Sequence, residues 1–382
     1  MRGLSLSLRC LAATIAASLA AADSTALGQF ALQKVLRDGR DVFGDAPGNE
    51  SAYPHANWMA SIPDDTPLAQ LSIPGTHDAA TWNYTQATQD ALADATRCDG
   101  TTPAAPQTYR CQRRSIADAL EAGVRFFDLR FATDPLGRRL VFWHGPALMS
   151  ATSGVEDVMV ALWDWLEEHD GEVALVSLQY EGGTREGAAF DGKAQGLLRD
   201  IFTSEAAARY VWQGRGYLPT LGEARGKVVL IRRFDLDGQE LPGVHLSPAK
   251  WPDNNPAGFA LVYNESSSAT AFIEDYYEPD NSTVPDNIAA KTDAAAANLR
   301  KAAAGDKEAL FITFTSAEHN TNTPPVYPQT MALGNGTDVT PNGGVNHQLV
   351  SVLEDFRGSR LGIVVVDFFD EPAELVGLIL GV

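Results

Sequence analysis

The 382-residue chain has few cysteines, few basic residues and no apolar run long enough to cross a membrane. Lysine and arginine number 29 against 49 aspartates and glutamates, so the formal net charge is -20. A surface this negative repels phosphate backbones, which argues against a nucleic-acid partner and against a polybasic membrane anchor. No stretch approaches the roughly 18 apolar residues of a transmembrane helix, so we expect no transmembrane anchor. With 45% hydrophobic and 20% charged residues, the composition excludes a disordered chain and is typical of a globular protein.

The first 22 residues have the pattern of a secretory signal. Arg2 and Arg9 flank a short polar start, and Leu11 to Ala22 is an almost unbroken apolar run that ends in small residues. A basic start, a run too short to span a bilayer and a small-residue exit are typical of a cleaved signal peptide. We therefore expect residues 1–22 to be removed and the mature protein to be secreted and extracellular.

Cysteine usage agrees with export. Cys10 lies within the predicted signal, which leaves Cys98 and Cys111 in the mature chain. In an oxidising compartment we expect these two to form a disulfide within an added loop at about residues 82–113. Five acceptor sequons favour a glycosylated protein secreted by a eukaryote such as a fungus. The sequons begin at Asn49, Asn83, Asn264, Asn281 and Asn335.

Eight short strand candidates alternate with helical patterns along the chain. Most of the strand candidates are continuous β-branched and aromatic runs, as expected for strands buried on both faces. The candidates span 71–73, 124–131, 140–143, 173–178, 228–231, 271–273, 310–314 and 361–368. Helices are predicted at 116–122, 155–169, 294–304, 349–356 and 372–380. This alternation predicts a closed α/β barrel of the (β/α)8 TIM type, formed as one domain by residues 61–382 after a lead-in at 23–60. An open doubly wound sheet is the alternative, but the Gly-rich phosphate loop that it requires is absent.

Polar residues collect where the predicted strands end, which is where the active site of such a barrel lies. They are His77, Asp78, Asp128, Arg130, His144, Arg233, Asp275, Tyr277 and Asp367. Each alone is more simply interpreted as a structural residue, but polar groups at buried strand ends cost free energy unless they are paired or used. Two histidines supply a base and an acid near neutral pH, and an arginine stabilises a pentacoordinate phosphorus transition state. The set therefore predicts cleavage of a phosphodiester.

Several of these residues stand in motifs that resemble a known family. Ile73-Pro74-Gly75-Thr76-His77-Asp78, the run from Gly123 to Arg130, and His144-Gly145 are similar to segments of the secreted bacterial phosphatidylinositol-specific phospholipases C, which have a barrel of the PLC-like phosphodiesterase superfamily (X domain). The run from Gly226 to Arg233 and Trp251-Pro252-Asp253-Asn254 also resemble family segments. The resemblance covers most of residues 68–372, and the spacing of the first two motifs is highly specific.

The resemblance implies a role for each matched residue. His77 would be the general base that activates the inositol 2-hydroxyl, and Asp367 would orient it. Arg130, with Asp128 beside it, would hold the phosphate. His144, assisted by Asp78, would protonate the departing diacylglycerol oxygen. The inositol ring would be bound by Arg233, Trp251, Asp275 and Tyr277. Inositol 1,2-cyclic phosphate would be the product.

The resemblance also implies that no metal cofactor is needed. Signalling members in eukaryotes place calcium where Arg130 stands here, and a guanidinium replaces the charge of that cation. The alternative is a Ca²⁺ site on Asp78 and Asp128, with Arg130 turned away.

Two features depart from the bacterial pattern. Gln179 stands where the bacterial type has a lysine, so one positive charge near the phosphate is missing. The loop at about 82–113 is an addition that would lie beside the mouth of the barrel. The choice of Asp367 over Asp370 as the partner of His77 rests on strand position alone.

Other functions stay open. The substrate is expected to be a phospholipid at a membrane or micelle surface, either free phosphatidylinositol or a glycosylated form. A phosphodiesterase for another head group would share the acid–base pair but not the ring contacts of Trp251, Asp275 and Tyr277. A non-catalytic phosphoinositide-binding barrel is favoured only by Gln179. A glycosidase with paired carboxylates would give no reason for two histidines and an arginine.

Overall fold

The computed structural model describes residues 25–45, 54–96, 103–184, 188–238, 240–337, 339–340 and 342–382. The predicted signal peptide at 1–22, Asn49 and Cys98 lie outside these ranges. Part of the predicted lead-in is helical, over residues 25–43. None of the described helices has both the length and the apolar content needed to cross a membrane.

The described part of the chain contains eleven strands. They are β1 Ser72–Thr76, β2 Phe126–Thr133, β3 Leu140–His144, β4 Ala147–Leu148, β5 Val173–Tyr180, β6 Lys227–Arg233, β7 Val244–His245, β8 Phe259–Asn264, β9 Ala269–Glu274, β10 Leu310–Phe314 and β11 Gly362–Val366.

Eight of these strands run parallel and form the wall of a barrel. The order of neighbours is β7, β6, β5, β2, β1, β11, β10 and β9, with β8 antiparallel to β9 at one edge. The continuous runs predicted the parallel strands because both faces are covered: every residue of β10 and β11 is buried. The pairing of β1 with β11 joins the first and last strands of the chain, as a barrel requires. The barrel prediction is confirmed, although no ladder among the described residues joins β7 to β8, so the wall is not fully closed there.

One strand of the predicted barrel lies elsewhere. The candidate at 140–143 became β3, which pairs antiparallel with β2 and with the short β4 rather than joining the wall as a parallel strand. The Pro135-Leu136-Gly137 turn between β2 and β3 is short, so it permits only a hairpin, whereas a parallel neighbour needs a crossover. The wall strand missing from the prediction is β7, whose two residues are too few to form a recognisable pattern.

Twelve α-helices surround the strands in the described residues. They are α1 at 25–43, α2 Gln86–Ala91, α3 Ala93–Thr96, α4 Ile116–Ala122, α5 Val155–Glu168, α6 Gly192–Phe202, α7 Glu205–Tyr210, α8 Leu221–Ala224, α9 Val284–Ala304, α10 Pro328–Leu333, α11 Val345–Asp355 and α12 Leu375–Leu380. Helix α4 has the predicted bounds because Ser115 and Asp118 form a capping box and Gly123 ends the helix with φ 105°. Helix α9 begins ten residues before its predicted start, at a Thr283 cap followed by Pro285.

A buried ion pair closes the end of the barrel opposite the site. Arg125 precedes β2 and is fully buried, with Nε 2.9 Å from Glu172 Oε2. Its guanidinium also donates to the carbonyl oxygens of Leu120, Val124 and Ala56. Glu172 precedes β5 and accepts from the N–H of Met59 and Ala60. Because all of these polar atoms are satisfied, the pair is tolerated in a dry environment.

Candidate active site

The carboxyl ends of the barrel strands surround a cavity of about 470 Å³. Nine of the eleven predicted catalytic and substrate-binding residues line it: His77, Arg130, His144, Gln179, Arg233, Trp251, Asp275, Tyr277 and Asp367. The other two, Asp78 and Asp128, are buried beneath its floor. Strand ends that are far apart in sequence thus meet at one barrel mouth, as the fold predicts.

His77 follows β1 directly and lies between two charged partners. Its Nδ1 is 2.8 Å from Asp367 Oδ1, and Asp367 follows β11, the neighbour of β1 in the wall. Its Nε2 is 2.8 Å from an Arg130 Nη2. Because the carboxylate accepts at Nδ1, a neutral ring carries its proton there and presents the Nε2 lone pair to the cavity.

The charges around His77 change its protonation. Burial lowers the pKa of His77, but the charge and hydrogen bond of Asp367 and the charge of Asp78 outweigh burial, so the net pKa is raised. Burial raises the pKa of Asp367 above its ordinary value, against the opposing influence of His77. The pair is therefore a strong proton acceptor shielded from bulk water.

Arg130 points from β2 toward the same point. Its Nε lies 3.4 Å from Asp78 Oδ2 and 3.7 Å from Asp128 Oδ2. Burial lowers the pKa of Arg130, but the carboxylates of Asp78, Glu181 and Asp128 outweigh this, so the pKa is raised and the group stays charged. Asp78 adopts a left-handed backbone conformation, with φ 44°, which turns its side chain beneath the arginine.

His144 ends the hairpin strand β3 on the other side of Arg130. Its Nδ1 is 3.1 Å from Asp78 Oδ2 and 2.9 Å from the carbonyl oxygen of Tyr109. Burial and the positive charge of Arg130 lower the pKa of His144 to about 4. In the unliganded protein, His144 is therefore neutral at pH 7.

A second cluster forms the opposite wall of the cavity. The Arg233 guanidinium carbon lies 3.8 Å from the centre of a Trp251 ring, and Arg233 Nη1 is 3.3 Å from Asp128 Oδ1. Trp251 Nε1 donates to Asp275 Oδ2 at 2.9 Å. The contacts combine a cation–π stack with an acidic group, so this wall presents a flat ring, a cation and an acceptor side by side.

Tyr277 lies at the rim of the same wall. Its hydroxyl donates to Asp253 Oδ1 at 2.7 Å, and Asn254 donates to the carbonyl oxygen of Glu278 at 3.0 Å. The Trp251 to Asn254 motif and the segment after β9 are thereby held together.

Gln179 lies in register between two arginines. The Cα pairs Arg130–Gln179 and Gln179–Arg233 run across β2, β5 and β6. Its Oε1 is buried without a hydrogen-bond partner among the described residues. Gln179 is therefore a neutral residue between two positively charged ones, Arg130 and Arg233.

The structure adds polar residues that sequence reasoning missed. Glu181 lines the cavity and accepts from the N–H of Gly145 at 2.7 Å, which links β5 to the residue after His144. The period of two in a strand was a usable signal, because residues 179 and 181 share a face. Gln112 donates to the carbonyl oxygens of His77 (2.8 Å) and Val366 (2.9 Å) and so joins the ends of β1 and β11. Nothing in the local sequence marked Gln112.

The sequence predicts a partner for Cys111 in the added loop and a carboxylate partner for His77 beside β11. Cys111 carries a free, buried thiol in the cavity wall, and Cys98 lies outside the described residues, so their pairing stays a prediction. The structure brings Asp367 to His77. Asp370 instead lies 3.0 Å from the surface side chain of Arg113.

The alternative prediction places a Ca²⁺ ion on Asp78 and Asp128. The guanidinium of Arg130 lies against both Asp78 and Asp128, the two carboxylates that would bind the ion. A divalent cation there would have to displace Arg130. Independence of metal remains a prediction.

No family model matches the chain. The chain is 29% identical over 177 residues to a protein named 1-phosphatidylinositol phosphodiesterase from Listeria monocytogenes, over 46% of this chain and 47% of that protein. It is 33% identical to PI-PLC X domain-containing protein 1 from mouse, over 36% of this chain and 44% of that protein. The chain thus spans about half the length of these curated relatives.

The fold has solved counterparts over a larger share of the chain. A double mutant of the phosphatidylinositol-specific phospholipase C from Staphylococcus aureus superposes with a TM-score of 0.65 at 18% identity, covering 87% of this chain and 98% of that structure. The predicted resemblance is thereby confirmed. The chain is similar in sequence to phosphatidylinositol phosphodiesterases over about half of its length and has the barrel fold of the bacterial phosphatidylinositol-specific phospholipase C.

Proposed function

We propose that this protein is a phospholipase C that cleaves phosphatidylinositol, or its glycosylated forms, to diacylglycerol and inositol 1,2-cyclic phosphate. The observation that carries the proposal is the placement of His77 between Asp367 and Arg130, with His144 beside Asp78 in the same cavity. The Listeria relative is named a phosphatidylinositol phosphodiesterase, and the Staphylococcus structure is that of a phosphatidylinositol-specific phospholipase C. The chain's own residues supply each part of that reaction.

His77 is the base of the first step. Its Nε2 lone pair takes the proton of the inositol 2-hydroxyl, whose oxygen then forms a bond to phosphorus within the same molecule. Because the attacking oxygen belongs to the same molecule, no second reactant has to be bound, and the entropic contribution to the activation barrier is smaller. Asp367 stabilises the imidazolium that forms, because its carboxylate already accepts the hydrogen bond at Nδ1.

Arg130 stabilises the phosphorus centre. In the unliganded protein, its Nη2 is 2.8 Å from His77 Nε2. The substrate therefore takes over this hydrogen bond: the guanidinium moves its donor to a non-bridging phosphate oxygen and frees the base. Asp78 and Asp128 keep the guanidinium charged and oriented during the exchange.

His144 is the acid of the second half of the step. It gives its proton to the diacylglycerol oxygen as the bond between that oxygen and phosphorus breaks. The pKa of His144 is lowered by burial and by Arg130 in the empty cavity. A bound phosphodiester anion offsets the charge of Arg130 and raises the pKa of His144, so substrate binding prepares the acid.

The opposite wall gives specificity for the inositol ring. Trp251 offers a flat apolar face, while Arg233 and Asp275 offer a donor and an acceptor for ring hydroxyls. Tyr277 closes the rim. This wall favours an inositol head group over a small, acyclic one, because an acyclic head group would gain nothing from the flat Trp251 ring.

Independence of metal and an extracellular site of action are further parts of the proposal. The first is supported by the contacts of Arg130 with Asp78 and Asp128, which put a fixed cation against the carboxylates. The second rests on the sequence, through the signal pattern at residues 1–22 and the sequons. A phospholipid surface is the proposed partner.

Phosphorus NMR of the protein with phosphatidylinositol in detergent micelles tests the proposal, with and without a chelator. We expect a cyclic phosphate signal that survives the chelator and is lost in His77→Ala, since removal of a general base costs about 10²–10⁴-fold. A signal abolished by the chelator contradicts independence of metal. No turnover in either condition contradicts the proposed activity and leaves another head group or a binding role to be tested.

A further inference from the structure

The Cys111 thiol lies in the wall of the cavity but has no part in the proposed reaction. The backbone of Cys111 is fixed on both sides: its N–H donates to Thr81 Oγ1 at 2.9 Å, and its carbonyl oxygen accepts from the N–H of Phe368 at 3.0 Å. These contacts tie the sulfur to the ends of β1 and β11, where His77 and Asp367 lie. A fixed, buried thiol beside a histidine and a carboxylate is a set of metal ligands.

The distances between the ligand atoms are short. The sulfur of Cys111, a ring nitrogen of His77 and a carboxylate oxygen of Asp367 all lie within 4.8 Å of one another. The same sulfur and ligand atoms of Asp78 and His144 also lie within 4.8 Å of one another. A thiolate with an imidazole and a carboxylate suits a tetrahedral, thiophilic divalent cation such as Zn²⁺, with water as the fourth ligand.

The Asp367 carboxylate gives an independent indication of a ligand. Its side chain is 1% exposed, and while Oδ1 is bound to His77, Oδ2 is buried without a hydrogen-bond partner among the described residues. A buried carboxylate oxygen that no donor satisfies is unfavourable, and a cation placed beside the sulfur would satisfy it.

Arg130 decides between the two possible ligand sets. Its Nε is 3.4 Å from Asp78 Oδ2, so a cation bound to Asp78 would face a guanidinium directly. Arg130 also contacts His77, with Nη2 2.8 Å from Nε2, but Asp367 pairs with the other ring nitrogen, Nδ1, and forms no second ion pair among the described residues. A cation bound at Nδ1 is therefore separated from the guanidinium by the imidazole ring. The set of Cys111, His77 and Asp367 is therefore the more favourable one for a cation.

We propose that Cys111, His77 and Asp367 form an inhibitory site for Zn²⁺. The ion replaces the proton of the Cys111 thiol, which goes to solvent. It binds His77 at Nδ1, and the single proton of the neutral ring moves to Nε2, where Arg130 loses its acceptor; where His77 is an imidazolium, the second proton also goes to solvent. The imidazole and its carboxylate are then occupied by the metal, so His77 no longer has the partner that makes it a base. The inhibition, but not the binding, rests on the proposed function. Binding is tighter at higher pH because protons are released.

The site needs the free thiol of Cys111, so it is absent from a chain in which Cys111 forms the predicted disulfide with Cys98. Calorimetric titration of Zn²⁺ into the full, reduced chain tests the site. We expect one ion to bind with release of protons, so the measured heat should change with the ionisation enthalpy of the buffer. Loss of a supporting contact to a metal ligand costs 10–100-fold in affinity, so Cys111→Ser, which removes a ligand, should weaken binding by about 100-fold or more. Cys98→Ser is the matched control and should bind as the unchanged chain does. Co²⁺ should give a thiolate charge-transfer band in the near ultraviolet that Cys111→Ser and Cys111→Ala lack.

Equal Zn²⁺ affinity in the unchanged chain and in Cys111→Ser, or no binding at all, overturns the site. Binding that needs Cys111 but does not slow hydrolysis of phosphatidylinositol overturns the inhibitory role. Because calorimetry requires no turnover, a chain that proves inactive on phosphatidylinositol contradicts the proposed function while the zinc site is still decided by the titration.

Discussion

Asp367 Oδ1 lies 2.8 Å from His77 Nδ1 and so determines which ring nitrogen is available to the substrate. The contact joins the residue after β1 to the residue after β11, the first and last strands of the chain. Two buried amides hold this geometry. Gln112 bonds the carbonyl oxygens of His77 and Val366, and Asn346 donates to the carbonyl oxygen of Asp367 at 2.8 Å. The proposed base, His77, is therefore positioned by the pairing of the first and last strands.

Asp367→Asn should lower kcat by about 100-fold or more, because an asparagine neither stabilises the imidazolium nor fixes the tautomer. Steady-state hydrolysis of phosphatidylinositol in micelles measures the loss. Asp370→Asn is the matched control, since Asp370 pairs with Arg113 at the surface, and it should keep nearly full activity. A loss in Asp370→Asn as large as that in Asp367→Asn would contradict the assignment of the orienting carboxylate.

The pH profile should reflect an inverted order of pKa values, in which the proposed base His77 has a higher pKa than the proposed acid His144. The reactive form has neutral His77 and protonated His144, yet the pKa of His77 is raised and that of His144 is lowered to about 4. The share of this form rises with pH up to about 4, is constant between the two pKa values and falls once the pH exceeds the pKa of His77. We therefore expect kcat/KM to be highest at mildly acidic pH.

Measurement of kcat/KM from acidic to alkaline pH checks this expectation. In Asp367→Asn the alkaline limb should move to lower pH, because the carboxylate that raises the pKa of His77 is gone. The acidic limb should stay in place. An optimum at alkaline pH, or an alkaline limb that does not move, contradicts the assignment of His77 to the base.

His144→Ala should affect substrates according to their leaving group. An alkoxide leaving group needs a proton, whereas nitrophenolate leaves without one, so the loss should reach about 10²–10⁴-fold on phosphatidylinositol and be far smaller on a nitrophenyl inositol phosphate. His245→Ala is the control, because His245 pairs with Asp235 away from the cavity floor. Equal losses on both substrates would contradict the role of His144 as the acid.

Much of this site could be predicted from the sequence, because polar residues at the ends of apolar strand candidates are recognisable in the sequence. His77, Arg233 and Asp367 each lie at or just after the end of a predicted strand, so their meeting at one mouth follows from the barrel. His144 was predicted for the right site from the wrong element. It ends the hairpin strand β3, whose apolar residues are buried like those of a wall strand, and burial alone does not distinguish the two.

The rest depends on contacts between distant segments, which local patterns do not encode. Gln112 is an isolated amide in a loop, and its two acceptors belong to β1 and β11. Tyr109 contributes only a carbonyl oxygen to His144, and any residue type offers that group. The short strand β7 is formed because β6 is already in place beside it, not because Val244 and His245 favour a strand.

Gln179→Lys should raise kcat/KM by roughly tenfold. The new ammonium would lie in register between Arg130 and Arg233 and add a positive charge where the phosphate binds. Opposite charges in a partly buried site attract by a few kcal/mol at an effective dielectric constant near 20, and desolvation offsets part of the gain. Gln179→Met has a similar shape without charge and serves as the control in the same micelle assay. A fall in activity for Gln179→Lys alone would mean that repulsion from the two arginines dominates.

Arg125→Met should destabilise the fold by about 3–5 kcal/mol, because it leaves the Glu172 carboxylate buried without its cation. The residue stands in a segment that resembles the family, but it is fully buried at the far end of the barrel from the cavity, so its role is structural. Urea unfolding followed by tryptophan fluorescence measures the change. The double variant Arg125→Met/Glu172→Leu should recover a large part of the loss, since neither buried charge remains. If Arg125→Met costs less than about 1 kcal/mol, or if the double variant is no more stable than the single one, the ion pair is not what the fold depends on at this position.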